Sequence, residues 1–418
     1  MYERIKKSEV LPGLTLATMR TGVVGIVSLG ASLLAGSRQT PNKSYDDDLV
    51  ARMLKEGTKR HGKSELSDLL ESNSISLSFS GGTTRTNVNG KIPTKKIDLG
   101  LELLAEMLRE PLFSPEHLDN LKKRVVTEIA EQKEDTASQA FAHISREVYE
   151  ESHPNYSQDF DQDIKEVQDA SGADLQDFHA QYYGLGSFFI VMTGDVDHDK
   201  IADRLKSEFK NWKSGQTSYK PESGKIKKTS SAEKIVHMPD KANVDLVLGQ
   251  PLYVDTHSRE YFALNTAIEI LGGHDFSARL MQEVREKRGL TYGISARIRG
   301  SYFSDSGYMS VNGIFAPSLW RQGLKVARSV LEKWAKVGVT ASELKRRKDM
   351  VKGEYLVGLS NSAGVEKALM SILEQNRDLK FVDEYPKIIE SLTLSEVNAS
   401  IKKYIDPKKF VTVASGSI

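Results

Sequence analysis

Cysteine is absent from the 418 residues of this chain, which excludes disulfide bonds, thiolate metal ligands and cysteine nucleophiles. An excess of one charge is also missing, because 58 Lys and Arg residues oppose 57 Asp and Glu residues. Without a positive field the chain is not suited to hold a phosphate backbone, so we expect no nucleic-acid partner. The 31 glycines and 12 prolines make up roughly a tenth of the chain, which is too few for a disordered or collagen-like sequence.

The chain also lacks an apolar run long enough to span a membrane. The uncharged window at residues 21–37 contains four glycines and falls short of the roughly 20 apolar residues that a spanning helix needs. We therefore expect no membrane association and interpret 14–19 and 23–34 as strands of a covered sheet. A secretory signal would need its apolar core nearer Met1, behind a basic segment without acidic residues. This favours a cytoplasmic location, and a periplasmic one stays open if a signal peptide has been removed.

A polar segment in the middle of the chain predicts its domain boundary. Residues 213–233 are rich in Ser, Gly and Lys and show no apolar periodicity, which is typical of a solvated connector. We therefore predict two domains, at 1–212 and 234–418, joined by a linker at 213–233.

The two predicted domains resemble each other in sequence. The apolar runs at 188–194 and 410–416 both end at Gly, and each follows a helical pattern that ends in Tyr, all at an offset of 222 positions. The heads of two long helical patterns, at 115–118 and 341–344, correspond at an offset of 226. Two independent correspondences at nearly equal offsets indicate a tandem duplication of one structural unit.

Strand and helix patterns do not alternate strictly within one unit. Residues 47–56 and 99–108 place their apolar side chains on one helical face, whereas 75–79 alternate apolar side chains with serines, as a half-buried strand does. This order favours an α+β fold in which each unit is a mostly antiparallel sheet covered by helices on one face.

Several segments form a recognisable set of motifs: L-A-G-S-R at 34–38, Gly57-Thr58, 103–108, P-L-F at 111–113, 191–197, S-A-R-L at 277–280 and E-V-R-E-K-R-G-L-T-Y at 283–292. The last of these is the most specific. Together they resemble the pitrilysin/insulinase-type (inverzincin) metallopeptidases, relatives of the mitochondrial processing peptidase and of the core proteins of respiratory complex III. The resemblance runs from about residue 10 to 416. It implies a two-domain member similar to the non-catalytic subunits of heterodimeric bacterial peptidases and of the processing peptidase.

The resemblance also implies a zinc site, and its motif is degenerate here. The family motif H-x-x-E-H places two zinc-binding histidines on one helix face, with the Glu that activates the bound water between them. Counted back from Gly57, the histidine positions hold Asp48 and Arg52, and the Glu position holds Ala51. Glu128 keeps the ligand type of the family's third position. We expect Arg52 and Glu128 to form a buried ion pair in place of a metal site, and no cofactor in this chain.

No second metal or nucleophile motif is evident in the sequence. The nine histidines lie at least ten positions apart, so no helix carries a pair of them on one face, and a G-x-S-x-G nucleophile elbow is absent. His274, next to two glycines, is interpreted as a loop histidine rather than a ligand.

Arg285 and Tyr292 are the residues that could still carry chemistry. In the family, the matching pair hydrogen-bonds the substrate backbone and stabilises the oxyanion that forms when water attacks the peptide carbonyl. A guanidinium offers a fixed fork of donors and a phenol offers one O–H, which suits that role. The alternative is that Arg285 forms a surface salt bridge with Glu283 or Glu286 and that Tyr292 only packs.

The resemblance implies where the other half of such a site comes from, because in the family the second domain of one chain faces the zinc of its partner. We therefore expect the non-catalytic, peptide-binding subunit of a heterodimeric zinc peptidase. Zinc and an intact H-x-x-E-H motif would belong to a homologous partner chain. Unfolded peptides would bind by adding a strand to a sheet edge.

Three alternatives stay open. The chain could form homodimers without such a partner, or be a structural or peptide-binding homologue with no part in proteolysis. It could also be a self-sufficient peptidase with an unfamiliar site. The strand at 75–79 lacks the Asn-Ala pair that the family carries there, which leaves open whether the first domain grips a substrate.

Overall fold

The computed structural model describes residues 1–39, 45–218, 226–273, 275–301 and 306–418. Six strands in these residues form the first sheet: β1 (Ile5–Leu11), β2 (Leu14–Arg20), β3 (Ile26–Leu33), β4 (Ser76–Ser80), β5 (Thr86–Pro93) and β6 (Phe188–Gly194). Their spatial order is β1-β2-β6-β3-β5-β4. The β2–β6 pair is parallel, and the other neighbouring strands are antiparallel.

The second sheet repeats this arrangement with five strands in the described part of the chain. They are β7 (Glu233–His237), β8 (Val244–Tyr253), β9 (Thr291–Arg299), β10 (Ser306–Phe315) and β11 (Val411–Gly416). In the order β7-β11-β8-β10-β9, the β7–β11 pair is parallel and the others are antiparallel. Without β1, the first sheet has the same order and the same parallel pair. This confirms the predicted α+β fold and the tandem duplication.

Helices cover the sheets. The described residues contain α1 (Asp46–Met53), α2 (Lys63–Ser72), α3 (Ile97–Arg109), α4 (Pro115–Lys133), α5 (Thr136–Val148), α6 (Phe160–Asp169), α7 (Gly172–Tyr182), α8 (His198–Phe209), α9 (Arg259–Gly272), α10 (Trp320–Val337), α11 (Ala341–Gly358), α12 (Ser362–Glu374), α13 (Phe381–Ser391) and α14 (Leu394–Tyr404). A π-helical segment, Met281–Glu286, precedes β9. Within these described residues, no helix has the length and apolar character needed to cross a membrane.

Two of the helices begin with the same reciprocal cap. At α7, Ser171 accepts from the Asp174 N–H at 3.2 Å and donates its own N–H to the Asp174 carboxylate at 3.0 Å. Thr393 and Glu396 repeat this at α14, at 3.2 and 2.7 Å. Such caps satisfy N–H groups that have no partner inside the helix. The two pairs lie 222 positions apart, the same offset as the strands that follow them.

The chain forms two compact units, and each unit is made of three separate segments rather than one continuous half. The first unit comprises Met1–Glu128, Asp161–Lys220 and Tyr355–Glu384, and the second comprises Ile129–Phe160, Pro221–Glu354 and Tyr385–Ile418. Each unit therefore includes one segment from the other half of the sequence, and these two segments begin 226 positions apart. The linker at 213–233 lies partly outside the described residues. We propose that it marks where one copy of the duplicated unit ends in sequence and the next begins.

The exchanged helix of the first unit is α12. Its apolar face forms one cluster with Ala17, Met19 and Val191 of β2 and β6. Gly30 on β3 leaves room for the helix, because a Cβ at this position would lie 1.8 Å from a carboxylate oxygen of Glu366.

The second unit uses its exchanged helix, α5, in the same way. Ile144 packs in one cluster with Val247 of β8. A Cβ on Gly249 of the same strand would lie 2.6 Å from Ile144 Cγ1, so this glycine also permits close approach. At the start of α5, the Thr136 hydroxyl donates to the buried Asp245 carboxylate at 2.7 Å.

Most predicted elements are found with shifted ends. The runs at 14–19, 75–79 and 188–194 are β2, β4 and β6. The strand predicted at 23–34 begins only at Ile26, because Gly25 in the preceding turn has a φ of +81°. The helix predicted at 47–56 is α1, which ends at Met53.

Replacement of Gly194 or Gly416 by Ala is expected to destabilise the fold by about 1–3 kcal/mol, the usual cost of a strained backbone conformation. These glycines end β6 and β11 with φ values of +125° and +146°. An added Cβ would lie 2.4 Å from the carbonyl oxygen of Ile26 or 2.3 Å from that of Asn243. Urea unfolding measures the effect, and Gly22→Ala is the matched control because a Cβ there meets nothing within 4 Å. Equal stability of all variants would contradict the duplicated role of these glycines.

Candidate functional site

The degenerate zinc-motif positions lie on α1 in the first unit. The Arg52 guanidinium donates to both carboxylate oxygens of Glu128, at 3.0 and 2.9 Å. Its Nε lies 2.7 Å from Oδ2 of Asp48, one helical turn earlier. Ala51 is fully buried and has no polar side-chain group. The predicted pairing of Arg52 with Glu128 is present, and Asp48 joins it as an unpredicted third member.

The prediction that this ion pair is buried is wrong. The side chains of Arg52 and Glu128 are 36% and 46% exposed, because both extend to solvent. Water screens such a pair, so its contribution to stability falls to that of a surface salt bridge.

We expect Arg52→Ala to lower the free energy of unfolding by less than about 1 kcal/mol. Loss of one partner from a buried pair would instead cost about 3–5 kcal/mol. Arg60→Ala is a matched comparison, since Arg60 is also partly exposed and lies within 4.0 Å of two carboxylates. Chemical denaturation should give similar small losses for the two variants. A loss of more than about 3 kcal/mol for Arg52→Ala alone would show that the pair is desolvated in solution.

Carboxyl groups are crowded at the start of α1. Burial raises the pKa of Asp47 to about 7, and the negative charge of Asp48 adds to this effect. Burial also raises the pKa of Asp48, although the Arg52 guanidinium opposes the shift. Gly81 allows this tight packing, because a Cβ there would lie 2.6 Å from Asp47 Oδ2. Arg52 is therefore the cation that stabilises an otherwise acidic helix end.

The side chains at these positions do not fit a zinc ion. A guanidinium has no lone pair to donate and carries a positive charge, and here it contacts both carboxylates that could have served as ligands. Over the ranges that the structure describes, no group of three or more His, Asp or Glu side chains could hold a metal ion. His274 lies outside those ranges. We assign no catalytic step to a metal held by this chain.

The Gly57-Thr58 motif has a structural role. The Thr58 hydroxyl donates to the buried Glu106 carboxylate, and Nδ1 of His61 lies 2.9 Å from the same oxygen. These bonds join two of the segments that carry the family resemblance, the one at Gly57 and the one at 103–108.

Residues 57–64 also match the pattern G-x-x-x-x-G-K-S of phosphate-binding loops. Such a loop follows a strand and directs free backbone N–H groups at the phosphates, but here it follows α1. The N–H groups of Lys59 and His61 already donate to protein oxygens at 2.9 and 3.0 Å. The Lys63 ammonium pairs with Glu56. The donors that would bind a phosphate therefore already have protein partners, and we assign no phosphate site to this loop.

In the second unit, the S-A-R-L segment is also structural. Arg279 forms a bidentate pair with Glu343, with both bonds at 2.7 Å, and donates to the Gly338 carbonyl at 2.8 Å. Burial by itself would raise the pKa of Glu343, but hydrogen bonds from Arg279 and Thr340 outweigh it and hold the pKa at about 2. The pair fixes the 277–280 segment to the start of α11.

Arg285 and Tyr292, the predicted catalytic pair, lie together in the second unit. The guanidinium carbon is 4.7 Å from the centroid of the Tyr292 ring, within cation–π distance. Tyr292 is 86% exposed, so its ring does not lie in a core, and the alternative that it only packs against Arg285 stays open. The salt bridge of that alternative is present with Glu286, whose carboxylate lies 3.6 Å from Arg285 Nε, whereas Glu283 pairs with Lys287 and Arg288.

A π-helical segment and a glycine turn bring the pair together. Arg285 lies in the π-helical segment Met281–Glu286, and π-helical turns occur frequently at functional sites. Gly289 then adopts a φ of +61° and donates its N–H to the Arg285 carbonyl at 2.7 Å. The buried Leu290 anchors the returning chain, so that Tyr292 comes back to the arginine.

A β-bulge then directs the Tyr292 side chain outward. In the pairing of β9 with β10, Thr291 faces Phe315 and Gly293 faces Ile314. Tyr292 is thus the extra, unpaired residue of the bulge. Bulges re-aim side chains and are over-represented next to active sites. The exposure of this tyrosine is therefore built into the backbone.

Phe276 belongs to this cluster although no sequence pattern singled it out. Its ring centroid lies 4.9 Å from the guanidinium carbon of Arg285, and the residue is 59% exposed. The only available signal was one aromatic residue in a polar loop before the S-A-R-L segment. Single exposed apolar residues are too common to predict a site.

An α+β duplication with an exposed Arg–Tyr pair and a substituted metal motif defines a metallopeptidase-like chain. Residues 25–157 match the family model described as Insulinase (Peptidase family M16), and residues 169–351 match the one described as Peptidase M16 inactive domain. The chain belongs to the pitrilysin/insulinase family of metallopeptidases, as its motifs predicted.

Relatives and solved structures cover nearly the whole chain. An uncharacterized zinc protease of Streptomyces coelicolor is 23% identical over 98% of this chain and 89% of its own length. A Helicobacter pylori protein named a non-peptidase homolog is 22% identical, over 89% of this chain and 84% of its own length. The crystal structure of a peptidase M16 inactive domain from Pseudomonas fluorescens has a TM-score of 0.89 at 23% identity, covering 99% of this chain and 98% of that one. At this identity the structural likeness shows the fold.

Proposed function

We propose that this chain is the non-catalytic, peptide-binding subunit of a heterodimeric zinc peptidase. A homologous partner with an intact H-x-x-E-H motif would supply the zinc and the base, and this chain would contribute Arg285 and Tyr292. The observation that carries the proposal is the exposed Tyr292, directed outward by a bulge beside Arg285. It occurs in a chain whose own motif holds Asp48, Ala51 and Arg52.

The chemistry of the pair suits peptide hydrolysis. Attack of water on a peptide carbonyl produces an oxyanion, which donors fixed in advance stabilise in the transition state. Arg285 supplies N–H donors in a planar fork, and Tyr292 supplies one O–H. Because Tyr292 is exposed, a substrate could reach its hydroxyl without disturbing the core.

The position of β9 suits the binding of an extended peptide. β9 is the last strand in the order of the second sheet and, in the described part of the chain, pairs with β10 alone. Its other edge therefore has backbone groups that an added strand could bind. Tyr292 lies at the start of this strand, so a peptide bound there would pass the pair. Recognition through the backbone would accept unfolded peptides of varied sequence.

Reconstitution tests the proposal. The partner would be sought as a co-purifying or neighbouring-gene product with an intact H-x-x-E-H motif, and gel filtration would report assembly. We expect the mixture to cleave an unstructured peptide and each chain alone to be inactive. Activity of this chain alone would indicate a self-sufficient peptidase. Full activity of the partner alone would indicate a scaffold role instead.

The main alternative is a structural or peptide-binding homologue with no part in proteolysis, either alone as a homodimer or with a partner. The serine-rich strand β4, at the edge of the first sheet, favours this alternative because it lacks the Asn-Ala pair that the family carries there. For the compartment we propose the cytoplasm, which cell fractionation would test. Recovery in a periplasmic extract would overturn that assignment.

A further inference from the structure

Phe276 is the second aromatic residue that contacts Arg285. The guanidinium carbon lies 4.9 Å from the Phe276 ring and 4.7 Å from the Tyr292 ring, both within the range of cation–π attraction. The catalytic role proposed above involves Arg285 and Tyr292 and does not explain the contact between Arg285 and Phe276.

The backbone around Phe276 is fixed by several hydrogen bonds. The Asp275 carboxylate accepts the Ser277 N–H at 2.7 Å, and the Asp275 carbonyl accepts the Ala278 N–H at 3.2 Å. The side-chain amide of Gln282 donates to the Phe276 carbonyl itself. These bonds close a tight turn before the π-helical segment. The backbone that carries the ring is therefore fixed beside Arg285, although more than half of the residue is exposed.

Contact with aromatic rings orients an arginine without consuming its donors. A salt bridge would occupy the in-plane N–H groups, whereas a ring contacts the face of the guanidinium and leaves the edge free. Glu286 lies 3.6 Å from Nε, too far for a hydrogen bond of good geometry. Among the described residues, the two rings contact the face of the guanidinium and limit the orientation of this long side chain.

We propose that Phe276 is a positioning residue for Arg285. Its ring holds the guanidinium so that the free N–H edge faces the backbone carbonyl of a bound peptide. This inference rests on the proposed function, in which Arg285 acts on a substrate in the partner's site. Phe276 itself touches neither the substrate nor the reacting atoms.

A double-mutant cycle in the reconstituted complex tests this role. The variants are Phe276→Leu, Phe276→Tyr, Arg285→Ala and the double change Phe276→Leu/Arg285→Ala. We expect Phe276→Leu to lower kcat/KM by about 3–10-fold. Phe276→Tyr should retain most of the activity because it keeps the ring. Once Arg285 is Ala, Phe276→Leu should have no further effect. Tyr253→Leu is the matched control, since Tyr253 is another exposed aromatic residue of the same unit.

A second measurement does not depend on activity. In the free chain with isotope-labelled arginine, ring currents should shift the Arg285 side-chain signals upfield. Phe276→Leu should reduce that shift and Phe276→Tyr should keep it, with Phe276→Met as a second ring-free variant in case Phe276→Leu does not fold.

The outcomes separate this inference from the proposed function. The positioning role is overturned, and the proposed function stands, if Arg285→Ala lowers activity but Phe276→Leu does not. The same holds if Phe276→Leu lowers kcat/KM by the same factor whether residue 285 is Arg or Ala. If Arg285→Ala leaves the activity of an assembled complex unchanged, the proposed function fails, and the positioning role fails with it. An unchanged Arg285 signal in a folded Phe276→Leu chain also overturns the positioning role.

Discussion

Tyr292→Phe is expected to lower turnover of the assembled complex by about 10²–10³-fold, while folding and assembly stay unchanged. Loss of one oxyanion donor usually costs ~2.7–4 kcal/mol of transition-state stabilisation. The substitution removes one hydroxyl from a residue that is 86% exposed, so little packing is lost. It also keeps the aromatic ring that lies 4.7 Å from the Arg285 guanidinium carbon, so the arginine retains this contact.

The measurement compares kcat of the Tyr292→Phe complex with that of Tyr253→Phe, a tyrosine that is 58% exposed on β8 of the same unit. Gel filtration of each mixture first establishes equal assembly. Arg285→Ala should weaken turnover and peptide binding together, because a guanidinium can also hold the ground-state backbone. Full activity of an assembled Tyr292→Phe complex would assign the pair to packing and favour the scaffold alternative.

Some of the strands could be predicted because the duplication repeats local patterns. The runs at 188–194 and 410–416 became β6 and β11, which lie between two neighbours in their sheets and are buried along nearly their whole length. A strand covered in this way has an almost continuous apolar sequence. β1 was not predicted, because Lys6, Lys7 and Glu9 make this exposed edge strand polar.

The exchange of α5 and α12 between the two halves could not be predicted from the sequence. An apolar stripe shows that one face of a helix is buried, but not against which sheet. The composition of residues 213–233 locates a solvated connector and therefore suggests contiguous domains. Only the structure shows that Gly30 and Gly249 leave room for a helix from the other half.

The candidate site was predictable by residue type and not by geometry. The motif at 283–292 points to Arg285 and Tyr292, but the bulge that exposes Tyr292 depends on the register between β9 and β10. In the same way, the family resemblance implies that Arg52 lies opposite Glu128, but the exposure of the pair depends on the packing around it. The family motif indicates which side chains meet, whereas burial depends on everything packed around them.

Restoring histidines at the two ligand positions should give this chain a zinc site of its own. In the structure, the carboxylates of Asp48 and Glu128 both contact the Arg52 guanidinium, at 2.7 and 2.9 Å. The side chains at positions 48, 52 and 128 therefore converge. Histidines four residues apart share a helix face, and two His plus one Glu form a zinc-binding set.

The double variant Asp48→His/Arg52→His is expected to retain about one zinc per chain after dialysis, by elemental analysis, where the unmodified chain retains none. At free zinc about a hundredfold above Kd, binding would add about 2.7 kcal/mol to the stability, so the melting temperature should rise with zinc. Glu128→Gln in the same background removes the third ligand and should abolish both effects. Asp48→Asn/Arg52→Gln is the matched control, because it removes the same charges without adding imidazoles. A folded double variant that binds no zinc would mean that positions 48, 52 and 128 do not converge, and the family's metal site would then have lost its geometry as well as its ligands.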